Sequence, residues 1–243
     1  RKVGVVTQSE NGPCPLLAIA NALSLRGSAV LSALSEVNNQ DLCNLIVEII
    51  MSSLTSNKVS KPETEAIDSN IIDILPKMVN GLDVNVKFDA ITSFEKTPEI
   101  QVFDRLSIPL VHGWLADPDD YPTYEAVANS FYNELVVAAV SSPSSAVQER
   151  HSKNDLICDF LQYSSTQLTK TGLMALHCIE EAVQHVFFRN NHFNVLIRER
   201  GSIYLLVTDV AFLSMDNVVW ERLDSITGAT EYVDCDFVKA SFP

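Results

Sequence analysis

The chain has 243 residues, 47% of them hydrophobic and 20% charged, a composition that can bury the core of one large domain or two small ones. Its 17 basic and 31 acidic residues give a net charge of −14, which argues against nucleic acid as the main partner and leaves a protein with basic patches open. The longest apolar runs, Asn44–Ile50 and Glu134–Val140, are far shorter than the roughly 18 residues of a membrane span, so we expect no membrane segment.

The first part of the chain is predicted to be mainly helical. A β-branched run predicts a short strand at Val3–Thr7. The apolar spacing that begins at Cys14 then predicts a helix that ends at Gly27. A strong amphipathic pattern predicts a second helix over Asp41–Leu54, and the polar stretch Thr55–Thr64 that follows is interpreted as a loop.

The middle of the chain mixes both periodicities. Residues Ser69–Val79 predict a helix that is interrupted or ends near Pro76. Alternating apolar residues then predict a turn and a strand within Asn80–Ile91. Two shorter apolar stretches, Ile100–Leu106 and Ile108–Leu115, are predicted to be strands or extended segments.

The last helices come before a region of strands. Helices are predicted over Thr123–Val140, Asp155–Tyr163 and Thr171–Gln184, and Ser141–Val147 is a linker candidate too short to establish a domain boundary. Four strand-like segments follow, with a turn before the third. They are His185–Asn190, His192–Glu199, Ser202–Asp209 and Asn217–Leu223. Helices in the N-terminal part and antiparallel strands in the C-terminal part predict an α+β fold.

The cysteines indicate the compartment and bear on metal binding. An odd, widely spread set without a Cys-x-x-Cys pair is typical of free thiols in a reducing, intracellular setting. The five are Cys14, Cys43, Cys158, Cys178 and Cys235. We therefore expect a cytoplasmic protein, with the nucleus also open. The spacing of Cys and His suits no zinc site, and no H-E-x-x-H motif occurs, so we predict no metal and no cofactor.

Cys14 is the first candidate for chemistry. It lies between Pro13 and Pro15, just after the turn signal Asn11-Gly12, at the predicted start of a helix. The helix dipole favours an anion there and is expected to lower the thiol pKa. Since Pro15 has no N–H, the oxyanion donors would be the N–H of Cys14 and the side-chain amide of Gln8. The alternative is a buried structural thiol that begins a core helix.

A thiolate nucleophile needs a base, and five histidines are available. His192 begins a predicted strand after Asn190 and Asn191, a pair typical of a turn, and neighbouring strands would hold its ring rigidly. A structural histidine is the alternative. The next strand ends in Thr208 and Asp209, and either could orient the imidazole, although Asp209 could instead cap the turn that follows.

Six segments in chain order resemble the MINDY family of deubiquitinases. They run from Thr7 to about Trp220 and so cover nearly the whole chain. They read TQSENGPCPLLAIANAL, NGLDVNVKF, IPLVHGWLADP, TQLTKTGL, FFRNNHF and YLLVTDVAFL. The combination of Q-x-E-N-G-P-C-P-L-L with a distant F-F-R-N-N-H-F is highly specific.

The resemblance implies a fold and an activity. The fold is a papain-like cysteine protease fold of variant topology, in a single catalytic domain over residues 1–243. The Cys-bearing helical part spans about 1–140 and the His-bearing strand part about 185–243. The implied activity is hydrolysis of isopeptide bonds in polyubiquitin, with a preference for chains linked through lysine 48 of ubiquitin. The implied partners are ubiquitin and polyubiquitin, and a monomer is favoured.

The resemblance also implies roles for single residues. Cys14 is the nucleophile, His192 the general base and acid, and Gln8 the oxyanion donor, with Thr208 in the third position beside Asp209. The implied ubiquitin-binding surface has four members, for which core packing is the alternative. They are Val84, Trp114, Tyr132 and Phe188. Two other functions stay open: a ubiquitin-binding module without catalysis, and a thiol hydrolase that acts on another ubiquitin-like protein.

Overall fold

The structure is a computed structural model that describes residues 3–8, 14–29, 31, 36–56, 71–141, 152–227 and 231–241. Its helices are α1 (Cys14–Arg26), α2 (Asn39–Ser56), α3 (Pro98–Arg105), α4 (Tyr121–Val127), α5 (Tyr132–Val140), α6 (Lys153–Tyr163) and α7 (Lys170–Leu176). Short 3₁₀ helices cover Lys77–Asn80 and Val210–Phe212. The strands are β1 (Leu110–His112), β2 (His185–Arg189), β3 (His192–Glu199), β4 (Ser202–Leu206), β5 (Trp220–Arg222) and β6 (Glu231–Val233).

The six strands form one sheet in the order β1-β2-β3-β4-β5-β6. Strand β1 pairs with β2 in parallel, and every later pair is antiparallel. Because helices dominate before β2 and antiparallel strands dominate after it, the predicted α+β layout is confirmed.

Helix α1 lies at the centre of the fold. Every residue from Pro15 to Ser24 is buried, so the helix is covered on all sides and not on one stripe alone. Alternation along β3 turns Phe193, Val195 and Ile197 toward the core cluster that contains α1, and Leu196 toward a second cluster on the other face. Full burial of a Leu or Ile side chain contributes about 1.5–3 kcal/mol, so this packing fixes α1 firmly against the sheet.

Several element predictions are confirmed. The predicted helix start at Cys14 matches α1, and Gly27, with φ of 88°, follows its last residue. The helical residues 71–74 end just before Pro76, as predicted. Residues 57–64 of the predicted loop and 142–147 of the candidate linker lie outside the described residues.

Other element predictions are wrong, for local reasons. Residues 100–105 of the predicted strand Ile100–Leu106 belong to helix α3, because Thr97 caps the helix and Pro98 suits its first position. The predicted helix Thr123–Val140 is two helices, and its second half begins anew where Glu134 accepts a hydrogen bond from the N–H of Phe131 at 2.9 Å. A capping signal outweighed the apolar periodicity in both cases.

Three predicted elements are shorter than expected or do not form. Helix α7 ends at Leu176 and does not continue to Gln184. Residues Val3–Thr7 form no strand, and Asn80–Ile91 contributes only isolated bridges, such as Val86 with Phe94. Apolar alternation thus marked burial in these segments but not a regular ladder.

His112 at the end of β1 makes the stability of the fold depend on pH. Burial lowers the pKa of its imidazole to about 4, which the backbone of Ala90 and Ser93 offsets only in part. Its Nδ1 accepts from the N–H of Trp114 at 3.2 Å, and Nε2 has no hydrogen-bond partner among the described residues. The folded protein therefore holds this ring neutral.

We predict that the free energy of unfolding falls as the pH falls from 6.5 to about 4. In this window the unfolded chain binds a proton at His112 that the folded protein does not bind. The cost reaches about 3 kcal/mol at the lower end and is absent above pH 6.5. Urea unfolding of wild type and His112→Gln across this window measures it. Burial also lowers the pKa of His185. Both proteins contain His185, so the difference between their free energies of unfolding reports His112 alone. Parallel pH profiles for the two proteins would contradict the prediction.

Candidate active site

Cys14 is the first residue of α1, and its side chain is half-buried. The buried residues that follow, from Pro15 onward, hold the N-terminus of the helix against the sheet. The position of the thiol is therefore set by the core packing of α1. Residues 11–13, which hold the Asn-Gly pair and the first proline before Cys14, lie outside the described residues.

His192 is placed by a tight hairpin. Strands β2 and β3 pair Arg189 with His192, which leaves only Asn190 and Asn191 in the turn. Both have positive φ, 50° and 59°, as a type I′ hairpin requires, so the predicted Asn-Asn turn is confirmed. The side chain of Gln167 accepts from the N–H of Asn190 at 2.8 Å and steadies the turn from outside. His192 is thereby fixed as the first residue of β3.

Gln8 is tied to the end of β4. Its N–H donates to the carbonyl of Thr208 at 2.7 Å, and its own carbonyl accepts from the N–H of Val210 at 3.4 Å. These bonds form an isolated parallel bridge between Gln8 and Asp209. The N-terminal segment that carries Gln8, the predicted oxyanion donor, is thus anchored beside Thr208 and Asp209, the two candidates for orienting His192.

These three elements meet at one cleft of about 540 Å³. Its lining residues come from α1, the β2–β3 turn, the N-terminal segment and the first 3₁₀ helix. They are Gln8, Cys14, Val79, Asn80, Gly81, Asn191 and His192. The structure therefore brings together the residues that the sequence analysis assigns as nucleophile, base and oxyanion donor, although they lie up to 184 positions apart in the chain.

Val79, Asn80 and Gly81 also line this cleft, which the sequence does not predict. Gly81 has φ of +104°, a conformation that other residues rarely adopt, and a Cβ placed there would meet no atom within 4 Å. The backbone conformation therefore favours glycine here, and Gly81 adds no side chain to the wall of the cleft that it shares with Cys14. Its Asn-Gly signal was recognised as a turn, but nothing in the sequence linked that turn to a cysteine more than sixty residues away.

The thiol of Cys14 faces the β2–β3 turn. Its Sγ lies 3.9 Å from the carbonyl oxygen of Asn191. Among the described residues, no hydrogen bond joins Cys14 to His192, whose side chain is exposed. The free protein thus has the nucleophile and base candidates on one cleft without direct engagement.

The expectation of a lowered thiol pKa at Cys14 is wrong for this arrangement. Burial raises the pKa of the thiol, and hydrogen bonds from the backbone of Phe193 and of Cys14 itself offset only part of the effect. Loss of water around a half-buried sulfur thus outweighs the favourable helix terminus.

Neither candidate for orienting the imidazole is hydrogen-bonded to it among the described residues. The carboxylate of Asp209 accepts from the N–H of Ala211 at 2.8 Å and caps the 3₁₀ helix Val210–Phe212, the alternative that the sequence left open. Thr208 lies directly before it, half-buried, with its carbonyl engaged by Gln8. The part of the chain that the structure describes shows no hydrogen bond from either side chain to His192.

The four ubiquitin-binding candidates fall into two groups. Trp114 and Phe188 are each only 5% exposed, and Trp114 donates from Nε1 to the hydroxyl of Ser164 at 2.6 Å. Val84 and Tyr132 are half-buried, and the Tyr132 ring lies 5.4 Å from that of Trp114. The two buried aromatics can affect a surface only through the residues packed over them.

No metal site and no membrane helix emerge from the described residues. Their His, Cys, Asp and Glu side chains form no group of three or more that could hold an ion. Within the same ranges, no helix combines the length and hydropathy of a transmembrane span. All five cysteines are free thiols, with Cys43 buried and Cys158, Cys178 and Cys235 exposed.

A cysteine at a helix start and a histidine at a strand start, both on one cleft, are the elements of the class of cysteine hydrolases. Comparison with known proteins gives the family. The model of the MINDY deubiquitinase family matches residues 1–237, so the chain belongs to this family.

Individual relatives agree with this membership. The chain is 41% identical over 242 residues to ubiquitin carboxyl-terminal hydrolase MINDY-1 of Danio rerio, covering 98% of this chain and 46% of that protein. It is 40% identical to human MINDY-2, covering 96% and 38%, and 39% identical to human MINDY-1, covering 96% and 50%. The chain thus spans half or less of the length of these relatives.

We predict that Cys14 of the free protein reacts slowly with iodoacetamide at pH 7.5. Its raised pKa leaves little thiolate at that pH, so Cys158 and Cys178, which are exposed, will be alkylated first. Peptide mapping by mass spectrometry over time measures each site, with buried Cys43 as the slow reference. Alkylation of Cys14 ahead of every other cysteine at neutral pH would show a resting thiolate and contradict the prediction.

Proposed function

We propose that the protein is a cysteine-type deubiquitinase that hydrolyses isopeptide bonds at the C-terminal glycine of ubiquitin. The observation that carries the proposal is the shared cleft of Gln8, Cys14 and His192. Membership in a family of deubiquitinases supports the substrate class, as do relatives named ubiquitin carboxyl-terminal hydrolases. The net charge of −14 suits a substrate protein with basic patches.

The first chemical step is acyl transfer to sulfur. The imidazole of His192 takes the proton of the Cys14 thiol, and the thiolate attacks the carbonyl carbon of the isopeptide bond. The side-chain amide of Gln8 and the N–H of Cys14 donate to the developing oxyanion. His192 then gives its proton to the leaving lysine amine as the C–N bond breaks, which leaves a thioester on Cys14.

The second step releases ubiquitin. His192 takes a proton from water, and the resulting nucleophile attacks the thioester carbonyl through a second oxyanion at the same donors. The C–S bond breaks, ubiquitin leaves with a free carboxylate, and the sulfur recovers its proton. Apart from the attacking water, these steps use only side chains and backbone groups of the protein.

The free protein would have to rearrange before the first step. The contact of the Cys14 sulfur with the Asn191 carbonyl and its raised pKa support a resting state that is not yet competent. We propose that ubiquitin binding moves the thiol from this carbonyl toward His192. Half-buried Val84 and Tyr132 are the candidates for contact with ubiquitin, with buried Trp114 and Phe188 supporting them from beneath.

The finer features of the proposal rest on the family resemblance. They are a preference for lysine-48-linked chains, a single catalytic domain over residues 1–243 and a papain-like topology. The free thiols support an intracellular site of action, in the cytoplasm or also in the nucleus. The competing functions are a non-catalytic ubiquitin-binding module and a hydrolase of another ubiquitin-like protein.

Cleavage of lysine-48-linked tetra-ubiquitin tests the proposal. Wild type is expected to cleave it, and Cys14→Ala and His192→Ala to lose at least three orders of magnitude in rate. Gln8→Ala, which loses one oxyanion donor, should lose about 10²–10³ in kcat. Cys178→Ala, which removes an exposed thiol away from the cleft, is the matched control and should keep full activity.

Each outcome of this experiment separates the candidates. Binding of the chain without cleavage by wild type would favour the binding module. Cleavage of a ubiquitin-like protein but not of ubiquitin would favour the other hydrolase. Activity of Cys14→Ala would reject the nucleophile, and equal rates on chains of several linkages would reject the linkage preference alone.

A second prediction distinguishes Thr208 from Asp209 as the partner of the imidazole. The carboxylate of Asp209 already caps a 3₁₀ helix, so Asp209→Asn, which keeps the cap, should retain near wild-type kcat. Thr208→Val removes the hydroxyl but keeps the shape and should lower kcat about ten-fold, the effect of one lost hydrogen bond. The reverse order of the two effects, measured by steady-state kinetics, would assign the role to Asp209.

A further inference from the structure

Helix α1 carries two buried polar side chains in an otherwise apolar stretch. Asn21 is 0% exposed and Ser24 is 1% exposed. Burial of such groups costs free energy unless they are hydrogen-bonded, and an apolar residue would fill either position more simply. Their bonding partners therefore indicate what they contribute.

All of their partners lie in the N-terminal segment that leads to Gln8. The amide of Asn21 accepts from the N–H of Val6 at 2.7 Å and donates to the carbonyl of Val6 at 2.9 Å. The hydroxyl of Ser24 donates to the carbonyl of Gly4 at 2.7 Å. The amide of Asn21 thus supplies one donor and one acceptor to a single residue, as a neighbouring strand would.

These bonds hold the segment against α1, two residues before its contact with Thr208. Val6 is fixed by α1, and Gln8, two residues later, is fixed by the carbonyl of Thr208 at 2.7 Å. The segment, which forms no regular strand, is therefore held between the helix and the end of β4. The polar contacts of Asn21 thus add to the isolated bridge at Gln8 and to the core packing of Val6.

The same helix begins at Cys14. Asn21 lies seven residues further along α1, which is about 10 Å along the helix axis. One helix, buried from Pro15 to Ser24, thus carries the candidate nucleophile at its first residue and the anchor of the candidate oxyanion donor two turns later. The anchor acts through hydrogen bonds between α1 and Val6.

We propose that Asn21 is a positioning residue, assisted by Ser24, that sets the distance between the Gln8 amide and the Cys14 sulfur. The role rests on the proposed function, because it matters only if Gln8 stabilises an oxyanion formed at Cys14. A misplacement of about 1 Å at such a site can cost about a hundred-fold in rate. Asn21 touches neither substrate nor reacting atoms and acts through Val6 and Gln8.

The first test is Asn21→Leu, which keeps the side-chain volume and removes both hydrogen bonds. Hydrolysis of a ubiquitin C-terminal fluorogenic amide should show kcat lowered roughly ten- to a hundred-fold with KM little changed. Alkylation of Cys14 by iodoacetamide passes through no oxyanion, so its rate should stay at the wild-type value. A merely structural role would loosen α1 and expose the half-buried thiol, so the alkylation rate would rise while kcat fell, and that result would overturn the inference.

The second test is a double-mutant cycle with Gln8→Ala. If Asn21 acts through Gln8, then Gln8→Ala with Asn21→Leu should be no slower than Gln8→Ala alone. Independent, multiplying losses in kcat would overturn the inference, as would an unchanged kcat in Asn21→Leu.

Two further variants keep the tests decisive. Ile179→Val removes one methyl group from the second core cluster and controls for general destabilisation, so it should retain wild-type kcat. If a thermal melt shows that Asn21→Leu does not fold, Ser24→Ala replaces it. We expect Ser24→Ala to lose less kcat and to be equally non-additive with Gln8→Ala.

The outcomes also separate the two proposals. Absence of hydrolysis by wild type would reject the proposed function itself. Hydrolysis by wild type with unchanged kcat in Asn21→Leu and Ser24→Ala would reject only the positioning role.

Discussion

The packing of helix α1 against strand β3 is the interaction on which the rest of the structure depends. Because α1 is buried on every side, its N-terminus cannot shift without disturbing the largest core cluster. The β2–β3 hairpin, whose turn requires positive φ at Asn190 and Asn191, ends beside that N-terminus. A cysteine and a histidine far apart in sequence are thereby brought to one cleft by core packing and one tight turn.

Two physical effects compete at the Cys14 sulfur. The start of a helix favours a thiolate, and backbone hydrogen bonds from Phe193 and Cys14 act in the same direction. Burial opposes them and is larger, so the pKa is raised. A protein that keeps its thiol neutral until a substrate arrives is protected from oxidation and from unselective alkylation. This balance is consistent with a nucleophile that becomes active only when its surroundings change.

The sequence predicted the α+β layout, the helix at Cys14 and the Asn190–Asn191 turn, because each has a strong local signal in periodicity or turn chemistry. The prediction of a strand at Ile100–Leu106 is wrong, because the cap at Thr97 stabilises a helix there and the apolar run is too short to indicate a strand. The sequence did not reveal the Gly81 wall of the cleft, because that contact joins segments distant in sequence. The raised pKa of Cys14 also depends on burial, which only tertiary structure determines. Local rules therefore gave the elements, and long-range packing gave the environment of the site.

The central claim is that Cys14 is the nucleophile of a deubiquitinase site shared with His192 and Gln8. The most direct measurement is the reaction of the protein with ubiquitin that carries an electrophile in place of its C-terminal carboxylate, followed by peptide mapping of the adduct. The structure predicts one adduct per chain, on Cys14, with the four other cysteines unmodified. No adduct, or an adduct on an exposed thiol such as Cys178 in place of Cys14, would contradict the claim.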